Sequence, residues 1–349
     1  MDYRRLGNSG LQVSPVCLGT MMFGDRTDER EAGEIVAHAH DNGVNFIDTA
    51  DVYASGASET ITGAAIRAQR AQWIVATKVG NVMQLPGHER PHSGGLSRRW
   101  IMQACDASLA RLGTDWIDIY YLHIDDANTP LAETVAAMGA LISAGKIRYF
   151  GVSNFRGWRI AELMHWCDRL GVTPPVVCQP YYNLLNRMPE VEVLPACDHY
   201  GIGVASYSPI ARGVLTGKYA PGVVPDDSRA ARKDRRMMQT EFRDESFAIA
   251  QTLKEHAAKT GRTPVQFALA WLWANRIVSS VIAGPRTLAQ WKDYVAAIGT
   301  PWSDEDEVLV DSLVRPGHPS TPGYSDPAYP IYGRRLAPDV TLRRAPRAP

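Results

Sequence analysis

Cysteine is scarce in this chain and poorly placed for anything but packing. The five (Cys17, Cys105, Cys167, Cys178 and Cys197) are odd in number, widely separated and include no C-x-x-C pair. Neither a disulfide framework nor a zinc site is indicated, and buried free thiols are the expectation. Net charge is lacking as well. The 37 Lys+Arg balance 37 Asp+Glu, which leaves no electrostatic footprint for nucleic acid or an anionic membrane surface. No run approaches the roughly 20 apolar residues needed to cross a bilayer. The opening MDYRRLGNSGLQV has no apolar signal segment, so a cytoplasmic protein without membrane partners is expected. A full G-x-G-x-x-G fingerprint is also missing: Gly201 and Gly203 begin one, but the third glycine is absent and no clear strand precedes it.

What is present is alternation. With 45% hydrophobic and 21% charged residues, 349 residues can bury a large core as one domain or two. Residues 2–13 read as a short hairpin turning through Gly7 to Gly10 and plugging one end of something larger. PVCLGTMMFG follows as an apolar run entering Gly19 and Thr20, then a helix from Asp28 to Asn42 with Ala32, Ile35, Val36 and Ala39 on one face. Strands VNFID, WIVATK, WIDIYYLH, KIRYFGVSN, PVVCQ, IGVASYS and SSVIAG alternate with further helices. Those helices are expected near Ser58–Ala68, after the cap Ser97, after Thr129 with Pro130 at its first position, at Gly157–Leu170, Glu192–Tyr200, Asp244–Asn275 with a break near Gly261 and Pro264, and Thr287–Ala297. Eight strand–helix units with strands apolar on both faces predict an α/β (β/α)8 TIM barrel rather than an open doubly wound sheet. Trp302 to Val314 reads as one more helix. The tail from Arg315, with eight prolines and six arginines, is expected to pack its first half on the barrel and to be loose from Leu336.

Several of these strands end in chemistry. VNFIDTADVY closes its strand on Asp48 and places Tyr53 on the next loop; WIVATK ends at Lys78, WIDIYYLH at His123, and YFGVSN at Ser153 and Asn154. In a closed parallel barrel all strand carboxyl ends open on one face. A Lys78 cation held charged by Asp48 is expected to lower the Tyr53 pKa from about 10 and make it a general acid for a carbonyl oxygen, with His123 orienting that oxygen. Such a site reduces carbonyls if a hydride source lies opposite.

FIDTADVY, ATKVG, DIYYLH, GVSNF, ASYSPIARGVLTGKY and VIAGPRT, in this order, resemble the aldo-keto reductase superfamily over residues 1–315, leaving 316–349 as the tail. The resemblance implies a (β/α)8 barrel that binds NADPH without a Rossmann motif and reduces aldehydes or ketones to alcohols. It assigns Tyr53 as acid/base, Asp48 and Lys78 as its tuning pair and His123 as substrate orienter. It also implies a cofactor site. Ser153, Asn154 and Gln179 match the carboxamide positions and Tyr207 the stacking ring; Ser208, Pro209, Ile210, Ala211, Gly213 and Lys218 fall in the pyrophosphate loop. Gly284, Arg286 and Gln290 match the adenosine-phosphate segment, and Gly19, Thr20 and Asp48 lie at the first two strand ends. Tyr294 stands where the motif has asparagine, so the adenine contact differs there.

Two alternatives stay beside this reading. A strand-end lysine also serves Schiff-base aldolases, with Lys78 as nucleophile, and potassium-channel β subunits, which sense nucleotide, resemble the same family. The substrate is set by the loops at Gly80–Gly95 and Pro209–Thr240 and by the tail near Tyr324, none of which the scaffold fixes. Trp100, Tyr181 and Phe23 suit either an apolar pocket or the core.

Overall fold

The computed structural model describes residues 1–82, 93–220 and 222–330. A two-stranded antiparallel hairpin, β1 (Arg4–Arg5) and β2 (Gln12–Val13), precedes eight barrel strands. These are β3 (Val16–Gly19), β4 (Phe46–Asp48), β5 (Ile74–Val79), β6 (Ile117–Leu122), β7 (Ile147–Ser153), β8 (Val177–Gln179), β9 (Gly203–Tyr207) and β10 (Val278–Ala283). Each pairs in parallel with its neighbour in sequence, and β10 pairs with both β9 and β3, closing the barrel. Closure explains the composition: with the inner face packed on itself and the outer face under helices, nearly every strand position is buried.

The helices start and stop where local chemistry requires. Asp28 accepts the Glu31 N–H at the head of Glu29–Asp41, Ser97 accepts that of Trp100 before Arg98–Leu112, and Thr263 and Gln266 cap each other before Pro264–Ala274. The expected break in the 244–275 region is real, between helices Asp244–Lys259 and Pro264–Ala274. Three local expectations shift. The helix expected at 58–68 is α-helical over Ala57–Ile66 and tightens to a 3-10 turn over Arg67–Gln72. Pro130 lies just outside helix Leu131–Ser143 rather than at its first position. The segment read as a loop from Pro209 to Thr240 contains a 3-10 helix, Ala211–Thr216, and a short α-helix, Arg235–Thr240.

The hairpin closes the amino end of the barrel: Leu6 and Val13 are fully buried against Cys17, Phe46, Ile119 and Ala205. Gly203 and Gly7 meet there, and a Cβ on Gly203 would come within 2.6 Å of the Gly7 nitrogen. The incomplete glycine fingerprint is therefore a backbone contact at the end opposite the strand carboxyl termini. All five cysteines are buried and free. Among the described residues no helix is long and apolar enough to cross a membrane.

Residues 316–330 run back over the barrel. Gly317 N–H donates to Glu190 Oε2 at 3.0 Å, Ser320 N–H to the Leu185 carbonyl at 2.8 Å, and Arg156 Nη2 to the Tyr329 carbonyl at 2.8 Å. Arg243 lies 3.9 Å over the Tyr324 ring, and Arg236 grips Asp326 through two hydrogen bonds. Tyr332 and the segment from Leu336 lie outside the described residues, as does most of the Gly80–Gly95 loop.

Candidate active site

At the strand carboxyl ends lies a cavity of about 550 Å³ whose walls include Asp48, Tyr53, His123, Ser153, Asn154, Gln179 and Tyr207. Asp48 is the last residue of β4, Lys78 the penultimate residue of β5, and His123 follows β6 directly. Lys78 does not line the cavity. Fully buried beneath it, its ammonium donates to the Asp48 carboxylate, to the Thr49 carbonyl at 2.7 Å and to the Tyr53 hydroxyl at 3.2 Å. All three donors are thus used. The second Asp48 oxygen accepts Gln179 Nε2 at 2.9 Å. The Tyr53 and His123 rings meet edge to face at 6.1 Å.

Electrostatics follows from this burial. Desolvation pulls the Lys78 ammonium down, but Asp48 and Tyr53 outweigh it and the group is held above its ordinary value. Burial raises Asp48 against the pull of Lys78. Tyr53 departs from expectation: burial raises its pKa, and Lys78, although pulling it down, does not win. The phenol is therefore a firmly protonated acid, because exclusion from water costs the phenolate more than one nearby cation returns. His123 is held well below its usual value, by burial first and Lys78 second, and is neutral. Its Nδ1 has no partner among the described residues.

Around this core a hydrogen-bonded rim connects the expected cofactor residues. Ser153 Oγ donates to the Gln179 carbonyl at 2.8 Å, and Asn154, at φ +63°, donates through Nδ2 to Ser153 Oγ at 3.0 Å and the His123 carbonyl at 2.9 Å. Asn154 Oδ1 accepts the Tyr207 hydroxyl at 2.9 Å. Gln179 and Tyr207 both line the cavity, where a ligand can reach them. Tyr207 stacks on Tyr181 at 5.6 Å, and Tyr181 donates to Glu241 at 2.7 Å.

Beyond Tyr207 the chain turns through left-handed Ser208, Ala211 and Arg212 before Gly213. A Cβ at Gly213 would meet Lys218 Cε at 3.3 Å, so the glycine leaves room for that lysine. Gly19, Thr20, Ser208, Pro209, Ile210, Gly213, Lys218, Gly284, Arg286, Gln290 and Tyr294 all line the cavity. Ala211 does not; it is fully buried. Lys218 is pulled below its ordinary value by burial and then by Arg286, with Arg229 and Arg232 adding to the fall and Asp227 opposing it. A lysine depressed by neighbouring arginines marks a place that an anion would relieve. The residues therefore fit a nicotinamide dinucleotide, with amide and hydroxyl groups at one end and crowded cations at the other.

Arg286 is not free. Its Nη1 donates to Asp227 Oδ1 at 2.6 Å, and its backbone N–H to Gln290 Oε1 at 2.9 Å. Among described residues the sequence reading missed Met22, Val52, Asn81, Arg212, Asp227, Arg232, Arg236 and Tyr329, all in the cavity wall. Arg212 stood inside a quoted motif and Tyr329 among the tail tyrosines; nothing local marks the others. Phe23 and Trp100 are core, and Tyr181 sits behind Tyr207 rather than in the wall.

A sequence profile described as the Aldo/keto reductase family matches residues 15–315. A probable voltage-gated potassium channel subunit beta of Arabidopsis thaliana is 40% identical over 304 residues, covering 85% of this chain and 91% of that one. An uncharacterized oxidoreductase of Bacillus subtilis, YrpG, is 34% identical over 333 residues, covering 93% of this chain and 100% of its own length. With the barrel, the buried Asp48–Lys78 pair under Tyr53 and a profile match over most of its length, this chain belongs to the aldo/keto reductase family of oxidoreductases.

Proposed function

We propose that the protein reduces aldehydes or ketones to alcohols with NADPH, Tyr53 supplying the proton. The observation that carries this reading is the fully buried Lys78 joining Asp48 and the Tyr53 hydroxyl under an open cavity. When bound, the dinucleotide would supply hydride. Tyr53, protonated and facing the cavity, is placed to hydrogen-bond a substrate carbonyl oxygen and release its proton as that oxygen becomes an alkoxide. Lys78 stabilises the phenolate left behind, and Asp48 keeps Lys78 charged. Neutral His123 can donate to the same oxygen only from a ring nitrogen carrying hydrogen, so it orients rather than protonates. Gln179, Ser153 and Asn154 would hold the carboxamide, Tyr207 the ring, Lys218 the pyrophosphate, and Arg286 with Gln290 the 2′-phosphate.

The Schiff-base alternative is disfavoured by the same geometry. A nucleophilic lysine must be deprotonated and reachable, whereas Lys78 is raised in pKa, fully buried and absent from the cavity wall. A nucleotide-sensing subunit is the second reading, favoured by the name of the Arabidopsis relative. The test is NADPH consumption with an aldehyde and ketone panel. Tyr53→Phe should lower kcat by about 10²-fold or more, the usual size of a general-acid contribution, while NADPH affinity changes only a few-fold. Tight NADPH binding without turnover of any carbonyl would select the sensing reading, and near-normal turnover in the Phe variant would sink the role of Tyr53.

A further inference from the structure

The cavity is unevenly charged along its length. At the nucleotide end Lys218, Arg232 and Arg286 crowd around the exposed Asp227, while neighbouring Arg229 pairs with Asp234 at 3.3 Å. At the reacting end each cation among the described residues has a carboxylate of its own. Lys78 is held by Asp48, and Arg212 pairs with buried Glu241 at 3.0 Å. Arg236, in the wall, donates through Nη1 and Nη2 to the two oxygens of Asp326 at 3.0 and 2.6 Å, with Gln239 Oε1 a further acceptor at 2.9 Å.

Arg236 belongs to the reacting end through Tyr329. Its guanidinium carbon lies 5.9 Å from the Tyr329 ring centre, and both residues line the cavity. The Tyr329 phenol is pushed up to about 12, mainly by burial, with Arg236 pulling it down and both Asp326 and Tyr53 pushing it further up. Geometry places Tyr329 at that end: Arg156, two residues beyond Asn154 at the carboxyl end of β7, donates through Nη2 to the Tyr329 carbonyl at 2.8 Å. Among the described residues the remaining wall here, Met22, Val52 and Asn81, carries no charge, and His123 is neutral.

We infer that Asp326, delivered by the C-terminal segment, is a specificity-determining residue: by occupying the Arg236 fork it leaves the reacting end electrically neutral, so the site takes uncharged carbonyl compounds and rejects those bearing a carboxylate or phosphate. The substrate class rests on the reductase reading above; the charge selection rests on the Arg236–Asp326 pair alone. An entering carboxylate would lose its water and meet a guanidinium in the wall whose two-point grip is already taken. An arginine fork matches a carboxylate well, so removing Asp326 unmasks an anion site.

Asp326→Asn is the suitable perturbation, because an amide oxygen can still accept the Ala328 N–H that Asp326 Oδ1 accepts at 2.9 Å, preserving the local turn. Methyl 4-formylbenzoate and 4-formylbenzoate form a matched pair of aldehydes that differ in charge. The wild type should favour the ester in kcat/KM by about tenfold or more; Asp326→Asn should shrink that ratio about tenfold, chiefly through KM of the anion, and Arg236→Gln in the same chain should restore it. Independently of turnover, calorimetric titration of NADP-loaded protein with benzoate and benzamide should show Asp326→Asn gaining benzoate affinity by a similar factor. A wild type indifferent to charge, or a variant whose benzoate-to-benzamide ratio moves less than about twofold, overturns the inference. If no aldehyde turns over but the binding ratio shifts as stated, the reductase reading falls and the charge selection stands.

Discussion

Replacing Lys78 by Met removes one charge and three hydrogen bonds from a place that water does not reach. The Lys78 side chain is 0% exposed and that of Asp48 3%, so the carboxylate left behind would be buried with Gln179 as its one remaining donor among the described residues. Breaking a buried pair from one side costs about 3–5 kcal/mol, whereas removing both charges together is often nearly neutral. Lys78→Met should therefore lose about 3–5 kcal/mol at neutral pH, and Lys78→Met/Asp48→Asn should recover at least about half of it, a clear departure from additivity. The pH dependence has a definite sign. Burial already raises Asp48, and losing Lys78 raises it further. The folded single variant then binds a proton that the unfolded chain, with an ordinary pKa near 4, has released, so its stability falls as pH rises above about 4 until the folded-state pKa is passed. The double variant lacks this Asp48 contribution and keeps only the slope it shares with the wild type. Urea unfolding followed by tryptophan fluorescence at pH 5, 6, 7 and 8 measures both quantities. Carbonyl turnover should drop about 10²-fold or more in both variants, because Tyr53 loses the cation that stabilises its phenolate. An equal, pH-independent loss in single and double variants would refute the coupling of Asp48 to Lys78, and retained turnover would refute the role of Lys78 in tuning Tyr53.

Three further perturbations probe other parts of the molecule. Arg286→Ala should weaken NADPH binding by about tenfold and leave NADH nearly unchanged; because a 2′-phosphate must first displace Asp227 from Arg286, the loss should lie near the low end of the range for hydrogen bonds to charged groups. Equal loss for the two cofactors at fixed ionic strength would mean that Arg286 holds something else. Asp51 is 1% exposed, neither of its carboxylate oxygens has a partner among the described residues, and its pKa is raised to about 8, by burial first and nearby Glu59 second. Folded protein keeps this proton while unfolded chain has lost it, so wild-type stability should decline by up to a few kcal/mol between about pH 4 and pH 8, and Asp51→Asn should flatten the decline; an unchanged slope in denaturant unfolding would count against it. Gly63→Ala would put a Cβ 2.1 Å from the Leu112 carbonyl oxygen, forcing helices Ala57–Ile66 and Arg98–Leu112 apart at a cost of about 1–3 kcal/mol. A thermal midpoint equal to wild type would show that the two helices can part freely.

By itself the sequence determined the eightfold alternation, because a strand buried on both faces must be apolar throughout and a covering helix must repeat its apolar face every three to four residues. It also determined which polar groups share a rim: in a parallel barrel Asp48, Lys78, His123 and Ser153 can only emerge at the same end. What lay beyond it was the balance between neighbours distant in sequence. Lys78 being buried below the cavity, and Tyr53 being raised rather than lowered in pKa, depend on how completely water is excluded, a sum over β4, β5, β6 and the turn after Asp48. The partners of the wall arginines were equally unreadable. Arg236 meets Asp326 across 90 positions and Arg286 meets Asp227 across 59, and local spacing carries no signal for pairs that far apart. Only the folded chain decides which cations are already spent and which are left for a ligand, because Coulomb energy depends on distance and burial in space rather than on order along the chain.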